Sequence, residues 1–147
     1  MAVDLDAEQA ALARRRCDGR ASVLRADLRR LPFADGVFDV VTALASFHHA
    51  PFEVSASEAR RVLKPGGRLV VLGVWTDNGF RDVGPNVLSS LYNRYLLRRR
   101  GPDAMRSPAT LVQTGLHAAR AEMAELLPGA RLRRRMLWRY TLVWDKP

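Results

Sequence analysis

The stretch that decides the fold is Arg61-Val-Leu-Lys-Pro-Gly-Gly-Arg-Leu-Val-Val-Leu-Gly-Val74. It contains the end of a helix predicted over Val54–Leu63, a sharp stop at Lys64–Gly67, and a strand predicted over Leu69–Trp75. The strand is a continuous apolar run without alternation. Such runs are typical of strands covered on both faces, as in parallel sheets between layers of helices. The stretch therefore predicts an α/β fold.

The elements before this stretch repeat the alternation of strand and helix. Asp6 is the predicted N-cap of a helix that ends near Arg16, with Gln9 in a capping-box position. Three further strands are predicted in short apolar segments, at Ala2–Leu5, Ala21–Ala26 and Phe38–Phe47. A helical period recurs in residues 85–97 and 110–127. Two strand-like pieces, Arg131–Leu137 and Tyr140–Trp144, predict an antiparallel finish.

Composition limits the classes of protein to which the chain can belong. Its 147 residues suit one domain, and the longest apolar runs are too short to cross a bilayer. The lone Cys17 excludes an internal disulfide framework and a cysteine-based zinc site, so we expect a cytoplasmic protein. Because the apolar runs are short, we expect no membrane partner. The formal net charge is +9, and all but two of the 24 basic residues are arginines. This charge is compatible with nucleic-acid binding, but the abundance of Arg and Ala favours a compositional bias instead.

Several segments resemble one family in order and spacing. They are Val3-Asp-Leu-Asp6, Arg25-Ala-Asp-Leu28, Leu31-Pro-Phe33, Phe38-Asp-Val-Val41, Phe47-His-His49 and Arg61-Val-Leu-Lys-Pro-Gly-Gly67. Together they resemble a class I S-adenosylmethionine-dependent methyltransferase of the ubiquinone-biosynthesis-like, type 11 group. The resemblance implies a three-layer Rossmann-like sheet, mostly parallel, with an antiparallel carboxy-terminal strand. It also implies methyl transfer from S-adenosylmethionine to an unidentified small-molecule acceptor.

The resemblance further implies a single domain over residues 1–147. Residues 1–75 would be the cofactor-binding half, and residues 76–147 would provide acceptor-side helices and closing strands. One feature of the family is missing, because no two glycines in the chain lie two positions apart and the Gly-rich loop is therefore absent. We expect the chain to be an amino-terminally truncated form of a longer enzyme, lacking a central strand and poorly folded or inactive alone.

The same resemblance assigns cofactor contacts to five residues. It implies that Asp4 accepts hydrogen bonds from the ribose hydroxyls and that Leu5 covers the ribose or the adenine. It implies that Asp27 accepts from the adenine amino group, that the Leu28 amide donates to a ring nitrogen, and that Ala43 contacts the methionyl part. Ordinary structural roles are the alternatives: Asp4 as a second cap of the first helix, and Asp27 as a turn residue.

His48 and His49 are the candidate general bases, since an imidazole titrates near neutral pH. Adjacent residues on extended backbone point apart, so the pair is not expected to chelate a metal, and no metal site is predicted. The resemblance favours a structural lip over the cofactor instead, which leaves the catalytic residue unknown.

The second functional hypothesis is a non-catalytic α/β remnant or a basic nucleic-acid-binding module. Its candidate surfaces are Arg98–Arg100 and Arg133–Arg135, which we expect to be solvated, so we do not expect a nucleic-acid partner. Trp138, Tyr140 and Trp144 alternate, which favours one face of a core strand over a base-stacking surface. The sequence leaves the oligomeric state open.

Overall fold

The computed structural model of the protein describes residues 1–74, 116–135 and 139–147, isolated positions between 87 and 98, and only the backbone of 116–119. The described strands are β1 (Ala2–Asp4), β2 (Val23–Arg25), β3 (Phe38–Leu44), β4 (Leu63–Val74), β5 (Arg131–Arg135) and β6 (Arg139–Asp145). The helices are α1 (Ala7–Cys17), α2 (Phe52–Val62) and α3 (Leu116–Leu126), with a short 3-10 helix at Phe47–His49. This order confirms the predicted α/β class.

The strands form two sheets. β1 and β2 pair in parallel, with Asp4 opposite Arg25 at the end of the ladder. The other four strands lie in the order β3-β4-β6-β5, in which β3 and β4 are parallel and the remaining pairs are antiparallel. Since β5 and β6 form an antiparallel hairpin beside β4, the predicted antiparallel finish is confirmed.

β1 and β3 each have one partner strand in the described part of the chain, and they belong to different sheets. Apolar side chains of β3 reach solvent, with Val40 55% and Leu44 70% exposed. A strand edge with free backbone groups and exposed apolar side chains is a template for pairing. The resemblance places a further strand at this position, and the truncation of the chain stays a prediction.

The core lies on one face of the four-stranded sheet. Leu69, Val71, Leu142 and Trp144 are buried on that face, beneath residues of α2 and of the end of α3. The Trp144 indole Nε1 donates to the Pro128 carbonyl at 3.0 Å, which satisfies its one polar group. Tyr140 and Trp144 therefore belong to the core, as the alternation predicted, while Trp138 lies outside the described residues.

The expectation that β4 is covered on both faces is correct for one face only. Val70, Leu72 and Val74 alternate with the buried residues and are half-buried in the described structure. The apolar run of β4 shows that the side chains of both faces are apolar. It does not show which other elements pack against each face.

Several predicted boundaries differ from the structure, and two strand boundaries differ by more than two residues. β4 begins at Leu63 rather than Leu69, because Leu63 is already extended and pairs with Phe38 before a register shift. The Lys64–Gly67 turn is thereby part of an irregular strand, and Gly66 and Gly67 exchange backbone hydrogen bonds with Lys146. β3 ends at Leu44 rather than Phe47, since Ala45 adopts a left-handed φ of 51°.

The second half is described in part. α3 confirms the carboxy-terminal end of the helix predicted over 110–127, and the described positions between 87 and 98 are helical, as the spacing predicted. The remainder of 75–115 and most of the basic run Arg98–Arg100 lie outside the described residues, so the division at residue 75 stays a prediction. In the parts of the chain that the structure describes, no helix has the length and apolarity needed to cross a membrane.

Candidate functional site

The candidate site residues lie at or just after the carboxyl ends of β1, β2 and β3. β1 and β2 are parallel and in register, and the Ala26 amide donates to the Asp4 carbonyl at 3.0 Å. Asp4, the last residue of β1, and Asp27, just after β2, therefore lie at the same edge of one sheet. The carboxyl edge of parallel strands is where ligands of open α/β sheets bind.

Asp4 is exposed and takes part in the entry to α1. Its Oδ1 accepts the Asp6 amide at 2.9 Å, and Asp6 in turn accepts the Glu8 and Gln9 amides at 2.7 and 3.0 Å. The predicted N-cap is confirmed. The capping-box pattern predicted that the Gln9 side chain would accept the Asp6 amide, but Asp4 accepts it instead. The capping alternative for Asp4 is thus observed. Its Oδ2 has no hydrogen-bond partner among the described residues, so a ligand hydroxyl can still be accepted there.

Asp27 is engaged by its own turn. Its carboxylate accepts Arg29 Nη2 at 2.6 Å and Nε at 2.9 Å, and also the Arg29 backbone amide at 2.8 Å. The Arg29 guanidinium holds the pKa of the Asp27 carboxyl below its usual range, so the group is ionised at neutral pH. The turn alternative is therefore observed. An adenine amino group would have to share this carboxylate with Arg29 or displace an exposed ion pair, which is a weak interaction.

The three apolar positions of the site differ in their accessibility. Leu5 is 57% exposed at the end of β1, as a cover over a ligand would require. Leu28 is partly buried against the core. Ala43 is 5% exposed and its side chain packs in the core, so only its backbone is available to a ligand.

His48 and His49 do not lie on extended backbone, and the argument that they point apart was wrong. Both belong to the 3-10 helix, and their ring centroids are 4.1 Å apart. Burial lowers the pKa of His48 below its usual value, and the neighbouring His49 and Arg139 lower it further. The neutral form of His48 is therefore favoured, and its buried Nδ1 has no hydrogen-bond partner among the described residues, while His49 is exposed. No three His, Cys, Asp or Glu side chains of the described residues are grouped as metal ligands.

A feature that the sequence reasoning missed is a cluster on α2, which we name the Glu58–Arg61 clamp. Arg61 donates to Glu58 through Nε and Nη2, both at 2.9 Å, and to the Asp35 carboxylate at 2.7 Å. It also donates to the carbonyls of Phe33 at 2.8 Å and Leu31 at 3.0 Å, so all five of its N–H donors are used. The signal in the sequence was a Glu and an Arg three residues apart on one helix face.

The charges of the clamp are mutually stabilised. Hydrogen bonds from Arg61 keep the pKa of Glu58 below its usual range, while Glu58 and then Asp35 raise the pKa of Arg61. Glu58 Oε2 also accepts the Leu31 amide at 2.9 Å. The clamp thus satisfies both backbone groups of Leu31, which is a buried residue.

Comparison with known proteins finds a family that the first half of the chain resembles. Residues 1–71 match the family model described as a methyltransferase domain. The chain is 48% identical over 66 residues to a demethylmenaquinone methyltransferase of Thermus thermophilus. The matched stretch covers 42% of this chain and 30% of that protein. Residues 1–71, just under half of the chain, are thus similar to the methyltransferase domain of the type 11 group.

Other relatives agree with this family. A ubiquinone/menaquinone biosynthesis C-methyltransferase of Pseudomonas aeruginosa is 38% identical over 78 residues, covering 52% of this chain and 28% of that protein. The fold matches the crystal structure of a SAM-dependent methyltransferase from Aquifex aeolicus with a TM-score of 0.63 at 13% identity, covering 99% of this chain and 67% of that one. The matched parts of the two curated relatives span less than a third of their length.

The structure divides the five predicted cofactor contacts into two groups. Asp4 and Asp27 follow the strands of the two-stranded sheet, whereas Ala43 belongs to the four-stranded sheet. The predicted contacts are therefore distributed over both sheets.

Proposed function

We propose that the protein to which this chain belongs transfers a methyl group from S-adenosylmethionine to a small-molecule acceptor, and that the edge formed by β1 and β2 holds the nucleoside of the cofactor. The observation that carries the proposal is the parallel register of β1 and β2, which sets Asp4 beside the start of the Asp27 turn. This pair of carboxylates occurs within the 71 residues that match the methyltransferase model.

The residues present fit the nucleoside of the cofactor. The Asp4 carboxylate retains an accepting oxygen for the ribose hydroxyls, and charge-assisted hydrogen bonds of this kind are strong. Leu5 supplies an exposed apolar surface next to it. The cofactor supplies an electrophilic methyl group bound to a sulfonium, so the protein chiefly has to bind, align and desolvate the reactants. The backbone at Ala43 is proposed to contact the methionyl part.

The acceptor is proposed to be small and partly apolar. Two of the matched relatives are named for quinone biosynthesis, which supports an acceptor of this general kind. Val87, Leu91 and Tyr92 are exposed apolar side chains of the helical positions between 87 and 98, as expected of an acceptor-side helix. The cytoplasmic location stays a prediction.

The nucleic-acid alternative receives less support from the arginines of β5. Arg131 donates to Asp145 at 3.2 Å and Arg135 donates to Thr141 at 3.2 Å, so two exposed arginines of this strand bind within the sheet. Binding to phosphates would have to compete with these contacts.

The test is methyl transfer from labelled S-adenosylmethionine. It uses the extended protein, defined as residues 1–147 preceded by a first strand and Gly-rich loop, either encoded upstream or grafted from a relative. We expect label in the organic-soluble small-molecule fraction of a cell extract and none in its RNA or protein. Label confined to RNA or protein would overturn the acceptor class, and no transfer to any fraction would overturn the activity.

A further inference from the structure

The helical positions between 87 and 98 present an exposed apolar row. Seven of these positions are described, and all seven residues are exposed. Val87, Leu91 and Tyr95 follow one another at a spacing of four residues, so they lie in one row along the helix. Their exposed fractions are 55%, 61% and 49%. Large apolar side chains that are exposed together indicate a surface for a partner, whereas single ones are ordinary.

Two arginines lie beside this row. Arg94 and Arg98 follow Leu91 by three and seven residues, which places them on the same face of the helix. Both are exposed. The sequence has no Asp or Glu from residue 83 to residue 102, so the charge of this stretch is positive only. The face therefore combines apolar side chains with positive charge.

Two tyrosines belong to the same surface. The rings of Tyr92 and Tyr95 stack with centroids 6.3 Å apart, and Tyr92 is 44% exposed. A tyrosine has an apolar ring and a polar hydroxyl, and is therefore enriched where a bilayer meets water. An arginine near such a boundary buries its stem in the apolar layer and keeps its guanidinium among the headgroups. We name this surface the 87–98 face; it consists of Val87, Leu91, Tyr92, Arg94, Tyr95 and Arg98.

From these observations we infer that the 87–98 face binds the surface of a bilayer that contains anionic lipids. The apolar row enters the boundary between headgroups and acyl chains, and the arginines bind the lipid phosphates. The short apolar runs, on which the expectation of no membrane partner rests, exclude a span, but a surface contact needs only one face of a helix. A nucleic acid would use the arginines and tyrosines and leave Val87 and Leu91 in water, so a lipid surface fits the face better.

The face is separate from the strand edge at which the resemblance places a further strand. That strand would pair with the backbone of β3, whereas the residues of the 87–98 face follow β4 in the sequence. Its accessibility in the extended protein is measured first, by thiol labelling of Val87→Cys in a Cys17→Ser background. We expect rapid labelling in the absence of lipid, and protection of this cysteine would overturn the inference.

Binding is measured by co-sedimentation of the extended protein with vesicles of phosphatidylcholine and phosphatidylglycerol in equal parts. No cofactor is present, so the result does not depend on the proposed function. Each arginine near an anionic surface changes the partition about fivefold, so the double variant Arg94→Gln/Arg98→Gln should bind about 25-fold more weakly. Leu91→Gln should bind about tenfold more weakly, because an apolar side chain is no longer buried. Vesicles of phosphatidylcholine alone should bind the parent as weakly as the anionic vesicles bind the double variant.

The double variant Arg15→Gln/Arg16→Gln is the matched control. It removes the same charge from exposed positions of α1. It should change the binding less than about threefold, because charges more than about 8 Å from the headgroups are screened at physiological salt. An equal loss in this control would show attraction by net charge alone and would overturn the inference. Binding to RNA without binding to vesicles, or no binding to either, would also overturn it.

A spectroscopic measurement locates the contact without relying on the charge variants. A polarity-sensitive fluorophore on Val87→Cys should shift its emission to shorter wavelengths when anionic vesicles are added, since the row enters the apolar layer. Protein that sediments with the vesicles while this emission stays unchanged would place the contact elsewhere and overturn the inference.

Discussion

Replacing Asp4 separates its role in the ligand site from its role at the start of α1. In the structure one of its oxygens accepts the Asp6 amide, and the two caps of α1 itself come from Asp6. Asp4→Ala should therefore cost about 0.5 kcal/mol of stability or less, as an exposed surface substitution. Asp6→Ala should cost about 1 kcal/mol, as the loss of an N-cap.

The order is reversed for cofactor affinity. Hydrogen bonds to a charged group contribute about 1.5–3 kcal/mol each, so losing two ribose contacts in Asp4→Ala should weaken binding of S-adenosylhomocysteine more than about a hundredfold. Asp4→Asn keeps one oxygen for the Asp6 amide but loses the charge, and should weaken binding about tenfold. Calorimetry and urea unfolding of the extended protein give the two quantities. Unchanged affinity in Asp4→Ala, or an equal loss in Asp6→Ala, would refute the ribose assignment.

Three further outcomes are expected. Separate His48→Gln and His49→Gln variants should retain most turnover at saturating cofactor, and a loss of about a hundredfold in either, with the fold intact, would show general-base catalysis. Gly73→Ala should lower the free energy of unfolding in urea by about 1–3 kcal/mol, because the added methyl group overlaps the Tyr140 ring. The Tyr140 ring is buried, and this burial also raises the pKa of its hydroxyl to about 12. Unchanged stability in Gly73→Ala would show that the ring moves freely. Because folding lowers the pKa of Glu58, its ionised carboxylate stabilises the folded state above its ordinary pKa, and this stabilisation is lost as the pH falls through the lowered value. The free energy of unfolding should therefore fall less steeply with decreasing pH in Glu58→Gln than in the parent.

Local patterns in the sequence predicted the elements whose causes are local. The apolar run of β4 predicted a buried strand, and Asp6 predicted the start of α1, because both depend on a few consecutive residues. The hairpin of β5 and β6 could be read in the same way from two nearby strand-like pieces. Asp4 and Asp27 were placed by resemblance, and the structure adds that they occupy the same edge.

The features that were missed depend on contacts between distant residues. The early start of β4 follows from its pairing with Phe38, which lies 25 residues before Leu63. The left-handed backbone of Ala45 lies between the end of β3 and the 3-10 helix that contains the two histidines. An alanine in the sequence gives no signal of such a backbone conformation. The other partners of Arg61 lie 26–30 residues away, so the local spacing of Glu58 and Arg61 indicates the pair but not these contacts.

The most direct test of the account is a hydrogen-exchange footprint of S-adenosylhomocysteine on the extended protein. The amides that gain protection should lie at the ends of β1 and β2, around Asp4 and Leu5 and around Asp27 and Leu28. The Asp4→Ala protein at the same ligand concentration serves as the control and should lose that protection. Binding that protects other segments while leaving both strand ends unchanged, or no binding by a folded extended protein, would contradict the account.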